Sequence, residues 1–259
     1  MLINYNDSAV TNGPPPLVFK SASRILRTYI SNMTDENKKK YGIQIEEMLI
    51  SAFFNGVSVG PNNFTWYYDF EFGNCYMFNG NESNILKSGK NGRKGGLQLE
   101  LYAGNSTEQE AFVDRRGFRL LIHNQTDVRP HLEEDGIDVS PGFVSNIAIK
   151  RTFYSKLPNP FSSCINDKED TNPYKTIPKN IIFSKLNIKR YSQRLCQHLV
   201  YQWLLHSYCG CLDPSFESKF VKNPKFCNTP TQIICSDYVF SKFYSTAKLT
   251  YLDYCPIGI

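Results

Sequence analysis

The sequence predicts an α+β fold: an antiparallel sheet in the middle of the chain, helical structure ahead of it, and a disulfide-pinned pair of helices behind it. Three observations carry this. Residues 64–78, Phe-Thr-Trp-Tyr-Tyr-Asp-Phe-Glu-Phe-Gly-Asn-Cys-Tyr-Met-Phe, are dense in aromatics and interrupted at Gly73-Asn74, as two strands broken by a turn are. Leu195, Cys196, Leu199, Val200, Trp203 and Leu204 recur at the spacing of a broad buried helical stripe. Six of the eight cysteines fall within residues 196–255, too concentrated for a chain that leaves its thiols reduced.

The elements follow in order. Residues 11–16, Thr-Asn-Gly-Pro-Pro-Pro, form a stiff non-helical lead-in. Thr34 and Asp35 are candidate N-caps of a helix in which Tyr41, Ile45, Met48, Leu49 and Ala52 share one face, with Gly56 ending it. After the aromatic strands, Leu97, Leu99 and Leu101 alternate with Gln98 and Glu100, so the strand over 97–102 buries one face. Further strands are expected over Phe118 to His123 and, after the turn Ser140-Pro141-Gly142, over Phe143 to Tyr154. Helix returns beyond Leu157-Pro158-Asn159-Pro160-Phe161. Cys209-Gly210-Cys211 closes the first C-terminal helix, and Thr229-Pro230-Thr231-Gln232 opens the second as a capping box with proline at the first helical position.

Composition narrows the function classes. At 259 residues the chain buries a core without help from a metal. A hydrophobic share of 41% with mean hydropathy of −0.38 describes a folded, water-facing protein rather than one embedded in lipid. No run approaches the ~18 apolar residues of a spanning helix, and Met1-Leu2-Ile3-Asn4-Tyr5-Asn6-Asp7 lacks a charged-then-apolar leader. The net charge is +5, but the densest basic runs, Lys38 to Lys40 and Lys87 to Lys94, are short and read as solvated faces, so no nucleic-acid partner is expected.

Two features point outside the cell. Acceptor triplets for N-glycosylation stand at Asn6, Asn32, Asn63, Asn81, Asn105 and Asn124, all in the N-terminal half. The cysteines, at 75, 164, 196, 209, 211, 227, 235 and 255, offer one C-x-C and no second knuckle, and His198 and His206 lie in the helical pattern. Oxidised pairs are therefore expected, with no metal and no cofactor.

Helical rise separates Cys196 from Cys209 by roughly 20 Å, beyond the ~7 Å that a disulfide spans, so those two cannot pair. Cys209 and Cys211 bond poorly with each other and reach instead toward Cys227 and Cys235, in either order. In an antiparallel hairpin Cys196 then lies opposite Cys255. Cys75 and Cys164 remain: either they bond each other or each has its partner outside this chain.

One motif points to catalysis. Gly56-Val57-Ser58-Val59-Gly60 satisfies the G-x-S-x-G pattern of a hydrolase nucleophile elbow, which requires a strand-to-helix turn. With a helix expected before it and Pro61-Asn62-Asn63 after it, the order of elements is wrong, so no enzymatic activity is expected.

Read together, an ordered set of pieces resembles a known family. Gly73-Asn74-Cys75-Tyr76-Met77-Phe78-Asn79, Gly96-Leu97-Gln98-Leu99, Ile122-His123, Pro141-Gly142, Leu157-Pro158-x-Pro160-Phe161-x-x-Cys164, Tyr191 before Cys196, Cys209-Gly210-Cys211 and Cys255-Pro256 follow one another as in the extracellular domain of the degenerin/epithelial sodium channel superfamily. The resemblance implies a clenched-hand fold: finger helices and lead-in over 1–63, β-ball and palm strands over 64–157, and a two-helix thumb over 158–259. It implies the pairs Cys209–Cys235, Cys211–Cys227 and Cys196–Cys255, and partners for Cys75 and Cys164 outside the chain. A family finger disulfide would fall at Ala52 and Val59, and a fourth thumb rung at Val200 and Asp253. In both places the two cysteines are missing together, as loss of a bonded pair requires.

The function implied is that of the extracellular ligand-sensing and gating region of a trimeric, amiloride-sensitive, sodium-selective channel at the plasma membrane. Subunits would be identical or mixed, and sodium would pass through pore helices lying outside this sequence. Phe161 matches the aromatic that couples the thumb base to the first membrane helix. Asp237 matches one thumb carboxylate of the proton-sensing members, but its companion is Ser241. Glu108 and Glu110 are candidates to face Asp237 for proton or peptide sensing, with peptide, mechanical or constitutive gating favoured over proton gating. The alternative is a secreted, disulfide-rich binding glycoprotein without a pore.

Overall fold

Among the described residues, eight strands, all paired antiparallel, make three small sheets in the first part of the chain, and two long helices stand in the second. The computed structural model describes residues 2–6, 16–81, 83–89, 91–92, 94–104, 114–124, 132–152, 157, 160–162, 193–215 and 224–255. The chain divides into two units, Met1–Asn146 and Ile147–Ile259.

In the first unit, β1 (Leu2–Asn6) pairs with β7 (Asp114–Leu120), which pairs with β8 (Ile137–Val139). A second sheet has the order β3-β2-β6, from Val57–Ser58, Leu49–Phe54 and Leu97–Leu101. The aromatic run folds into the hairpin β4 (Phe64–Asp69) and β5 (Gly73–Phe78), in register from Phe64 opposite Phe78 to Asp69 opposite Gly73. Ile45, Met48, Tyr76 and Phe118 form the core where these sheets meet, with Leu49, Trp66 and Leu101 packed on it.

The helical stretch expected from Thr34 to Gly56 is instead three elements. Thr34 does cap α2 (Asp35–Tyr41), accepting a hydrogen bond from the Asn37 amide, but that helix stops at the extended Gly42. The cause is tertiary. Asn74 donates to the Lys39 and Ile43 carbonyls at 3.0 and 3.2 Å and accepts from the Trp66 indole at 2.9 Å, so it fills the space beside Gly42. A Cβ on Gly42 would lie 2.4 Å from the Asn74 side chain. One turn of helix follows, α3 (Ile45–Met48), and Leu49 onward becomes a central strand. Ala52 is buried as expected, but against β6, opposite Leu99, rather than on a helix face. The chain then turns at Asn55-Gly56, both with positive φ (53° and 81°), the pair favoured in two-residue hairpins.

Other expectations shift as well. The proline stretch ends in a helix: α1 runs Pro16–Ser31, while residues 11–15 lie outside the described residues. The strand expected over 118–123 begins earlier and ends at Leu120. Leu97 is exposed, and Leu99 and Leu101 are only half-buried, because among the described residues β6 is an edge strand. The described part of the strand expected over 143–154 has no ladder: Phe143, Val144 and Ile149 are exposed, and the extended pairing falls instead at β8, upstream of the Pro141-Gly142 turn. A short helix, α4 (Leu132–Asp135), stands just before β8.

The second unit is a helical hairpin, α5 (Gln193–Cys209) and α6 (Pro230–Tyr254). α5 buries Leu195, Cys196, Leu199, Val200, Tyr201 and Leu205, while Trp203 and Leu204 of the expected stripe are half-buried. α6 contributes Val239 and Phe243 to the same core. Its start is the expected capping box: the Gln232 amide donates to Thr229 Oγ1 and the Thr229 amide to Gln232 Oε1, both at 3.3 Å. Gly210, at φ +66°, ends α5 in the left-handed conformation that glycine adopts without steric cost.

Candidate functional site

The feature with most covalent definition is the crosslinked hairpin. Cys196 is bonded to Cys255, Cys209 to Cys235 and Cys211 to Cys227, with Cα separations of 5.6, 5.9 and 5.0 Å. The first rung ties the start of α5 to the exit of α6, and the other two tie its end to the connecting loop and the first turns of α6. Cys196, Cys255, Cys211 and Cys227 are buried, whereas Cys209 and Cys235 are half-buried, so the ladder has two sealed rungs and one that water reaches.

A polar lock supplements the sulfur. Asp213, buried in the connecting loop, accepts from the Tyr201 hydroxyl at 3.1 Å. It exchanges backbone hydrogen bonds with the Gln202 amide: Gln202 Nε2 donates to its carbonyl at 2.8 Å, and its own N–H donates to Gln202 Oε1 at 3.0 Å. Ser215 closes the turn by donating from both N–H and Oγ to Asp213 Oδ1. Beyond it, the Leu212 amide donates to Lys225 and the Cys227 amide to Leu212, at 2.8 and 3.0 Å. Nothing local in the sequence announces this lock, because its partners lie eleven or twelve residues apart.

In the first unit, Cys75 on β5 is fully buried and its thiol is free, donating to the Gly73 carbonyl at 3.2 Å. Burial, followed by the nearby Asp69 charge, pushes that thiol well above its ordinary range. Burial also pushes up the Tyr67 hydroxyl, and takes Tyr76 up to about 12 with a smaller contribution from Glu46. Asp69 caps the tight β4–β5 turn, accepting the Glu71 and Phe72 amides at 2.9 and 3.1 Å. Burial raises its carboxyl, and the Glu133 charge raises it further against those hydrogen bonds. Arg27 of α1 pairs with Glu71 in the same turn. The signal for Asp69 was available: an Asp four residues ahead of a Gly in a hairpin turn.

The remaining residues singled out in the sequence are dispersed. Phe161 is 77% exposed. Asp237 lies exposed on α6; Glu108, Glu110 and Cys164 lie outside the described residues. Asn32, Asn63, Asn81 and Asn124 are exposed, Asn6 ends β1, and Asn105 is outside the described residues. Ser58 sits on the two-residue edge strand β3 and is followed by the 3-10 turn Pro61–Asn63, so G-x-S-x-G here is a hairpin arm rather than a strand-to-helix elbow. The element before it is a strand, not the expected helix. Among the described residues no cluster of His, Cys, Asp or Glu could hold a metal, and no helix is long and apolar enough to cross a membrane.

Residues 6–256 match the amiloride-sensitive sodium channel family. The chain belongs to that family. It is 32% identical over 177 residues to the epithelial sodium channel subunit gamma of Homo sapiens, covering 68% of this chain and 26% of that protein. Against the Xenopus laevis subunit gamma it is 27% identical over 218 residues, covering 83% of this chain and 31% of that protein. The chain thus spans about a quarter to a third of the length of the curated relatives it matches. Ala52 and Val59, where the resemblance implies a missing pair of cysteines, stand together across the β2–β3 hairpin, the Val59 amide donating to the Ala52 carbonyl at 3.0 Å.

Proposed function

We propose that the chain is the extracellular gating region of a sodium-selective, amiloride-sensitive channel subunit that assembles as a trimer in the plasma membrane. The observation that carries this reading is the family match over 6–256, in a chain whose C-terminal unit is a three-rung helical hairpin. On this reading residues 1–63 are finger and lead-in, 64–157 β-ball and palm, and 158–259 the thumb. Cys75 and Cys164 each take a partner outside the chain. The buried, unoxidised Cys75 thiol supports the first of these.

The thumb moves when a ligand engages the faces carrying Glu108, Glu110 and Asp237, and Phe161 hands that motion to the membrane helices. The exposure of Phe161 supports the last step, since a ring left in water at a proline turn is available to a partner surface. Electrophysiology on the full-length protein in oocytes tests the reading. A sodium current blocked by amiloride is expected, and Phe161→Ala is expected to cut that current while surface biotinylation stays unchanged. Surface protein without any amiloride-sensitive current, across peptide, acid and stretch stimuli, would overturn it.

A further inference from the structure

The three rungs of the hairpin are not equivalent. Cys211 and Cys227 both lie in the connecting loop, and Cys255 lies just past the end of α6. Of the three, Cys209–Cys235 is the one that joins a residue of α5 directly to a residue of α6. It is also the rung open to solvent. Cys196, Cys211 and Cys255 are 0% exposed and Cys227 3%, whereas Cys209 and Cys235 are half-buried. The chain neighbours on both sides leave an approach, since Tyr208, Gly210 and Ile234 are all exposed. Thiol–disulfide exchange needs an incoming thiolate to reach a sulfur, so exposure sorts labile disulfides from inert ones.

Opening this rung leaves the hairpin folded. Cys211–Cys227 still closes the connecting loop, together with the Leu212 and Cys227 amides that donate to the Lys225 and Leu212 carbonyls at 2.8 and 3.0 Å. Cys196–Cys255 still closes the far end, and Tyr201, Leu205, Val239 and Phe243 still fill the core between the helices. What is released is the loop end of α6, where none of Thr231 to Ile234 is buried and little packing replaces the lost bond. A pair of helices tied directly to each other at one end only can pivot there, so the single body becomes a hinged one.

We propose that Cys209–Cys235 is a redox catch, opened by a dithiol reductant while the other two rungs stay closed. Cys209 is the last residue of α5, where the negative end of the helix dipole disfavours a thiolate, so it takes the incoming sulfur and Cys235 leaves. A reductant thiolate attacks Cys209 Sγ, the S–S bond breaks with its electron pair going to Cys235 Sγ, and that sulfur takes a proton from water. The reductant's second thiolate then attacks its own sulfur in the mixed disulfide, and Cys209 is released and protonated in turn. The reductant ends as a disulfide and the protein gains two electrons. The consequence for current rests on the gating reading proposed above.

The test is differential alkylation of the full-length protein on intact cells. Cells are treated with dithiothreitol or with reduced thioredoxin, labelled with N-ethylmaleimide, and the protein is digested without further reduction. Cys209 and Cys235 are expected to take up label about tenfold or more faster than Cys196, Cys211, Cys227 and Cys255. Either reagent labelling this rung first supports the catch, and which of them does so distinguishes a small dithiol from a protein one. Equal or earlier labelling of another rung, or shuffled Cys209–Cys227 or Cys211–Cys235 peptides, would overturn it. Under voltage clamp, dithiothreitol is expected to shift the amiloride-sensitive current, re-oxidation to reverse the shift, and Cys209→Ser/Cys235→Ser to abolish the response. A labelled rung with unchanged current, or an undiminished response in the serine variant, overturns the hinge. Because the labelling needs no variant, the catch stands or falls on it even where the serine variant does not reach the surface. A complete absence of amiloride-sensitive current instead sinks the channel reading, and the labelling then judges the rung by itself.

Discussion

Removing one rung of the ladder at a time separates what the sulfurs contribute. The outer rung closes 59 residues and the Cys211–Cys227 rung 16. With Cys209–Cys235 in place, however, the outer rung closes only the segments 196–209 and 235–255, roughly 35 residues, because the middle rung short-circuits the rest. Chain entropy then assigns about 4 kcal/mol to the outer rung and about 3 kcal/mol to Cys211–Cys227. All four sulfurs are buried, so the transfer and cavity losses on replacement by Ala largely cancel between the two pairs. Cys196→Ala/Cys255→Ala should therefore lower the stability of the hairpin more than Cys211→Ala/Cys227→Ala, by about 1 kcal/mol. Urea unfolding followed by tryptophan fluorescence reads this directly: the chain has two tryptophans, and in a Trp66→Phe background Trp203 of α5 reports alone. A larger loss from the inner pair would refute the reasoning, and would mean that the loop packed around Asp213, rather than the entropy of the closed chain, sets the strength of the ladder.

Four further outcomes follow from the geometry. Asp69 has its carboxyl raised by burial, so its ionisation opposes folding; stability tied to it is present in acid and lost as pH rises from the ordinary carboxylate range through its raised folded value. Asp69→Asn keeps an oxygen for the Glu71 and Phe72 amides, and should raise Tm at neutral pH with the gain vanishing in acid, measured by calorimetry across pH. Tyr201→Phe removes a buried hydrogen bond to Asp213 and should cost about 1–2 kcal/mol in the same urea assay. Cys75, buried and with its thiol pushed up, should resist maleimide in the native chain and react once urea unfolds it, scored by mass shift. Ala52→Cys with Val59→Cys should oxidise to a disulfide, since directly paired strand residues lie at ~5.5 Å between Cα atoms, inside the range that disulfides accept; a non-reducing digest detects it.

What was legible in the sequence was what is encoded locally. The start of α6 is written in four consecutive residues, Thr229 to Gln232, each of which bonds within its own turn. The buried stripe of α5 and its closure at Gly210 are likewise properties of one segment. The stretch from Thr34 to Gly56 was misread because Ile45, Met48 and Ala52 satisfy a helical spacing in sequence while Asn74, more than thirty residues on, decides where the helix stops. An Asn-Gly pair at 55–56 marked the hairpin that replaced it, and its neighbours' helical spacing masked it. Helical rise left Cys209 and Cys211 with two candidate partners each. The choice between them depends on how the connecting loop folds back through Leu212 and Asp213, which no spacing rule contains. Phe161, Asp237, Glu108 and Glu110 came from resemblance rather than chemistry, and none of them is among the residues with the plainest electrostatic signature, Asp69 and Cys75.

Two helices packed only by side chains can slip past each other by a turn, about 5.4 Å, when their interface has a second registry. This pair cannot, because covalent rungs stand at both ends, with Tyr201 and Phe243 in ring contact between them. Shear between α5 and α6 is therefore closed as a mode of motion, and any signal that passes through the hairpin passes as movement of a single body. On the gating reading proposed above its outlet is the open end, where the Cys196–Cys255 rung holds both helices of the hairpin and Gln193 donates to the Cys255 carbonyl at 3.4 Å. A rung there does more for a gate than a rung at the loop end: losing it frees the two exits to move apart, and the hairpin then absorbs a push that it would otherwise deliver. In the full-length protein the outer-rung variant should accordingly lose more current per surface channel than the Cys211–Cys227 variant. A reversed order would place the moving part at the connecting loop instead.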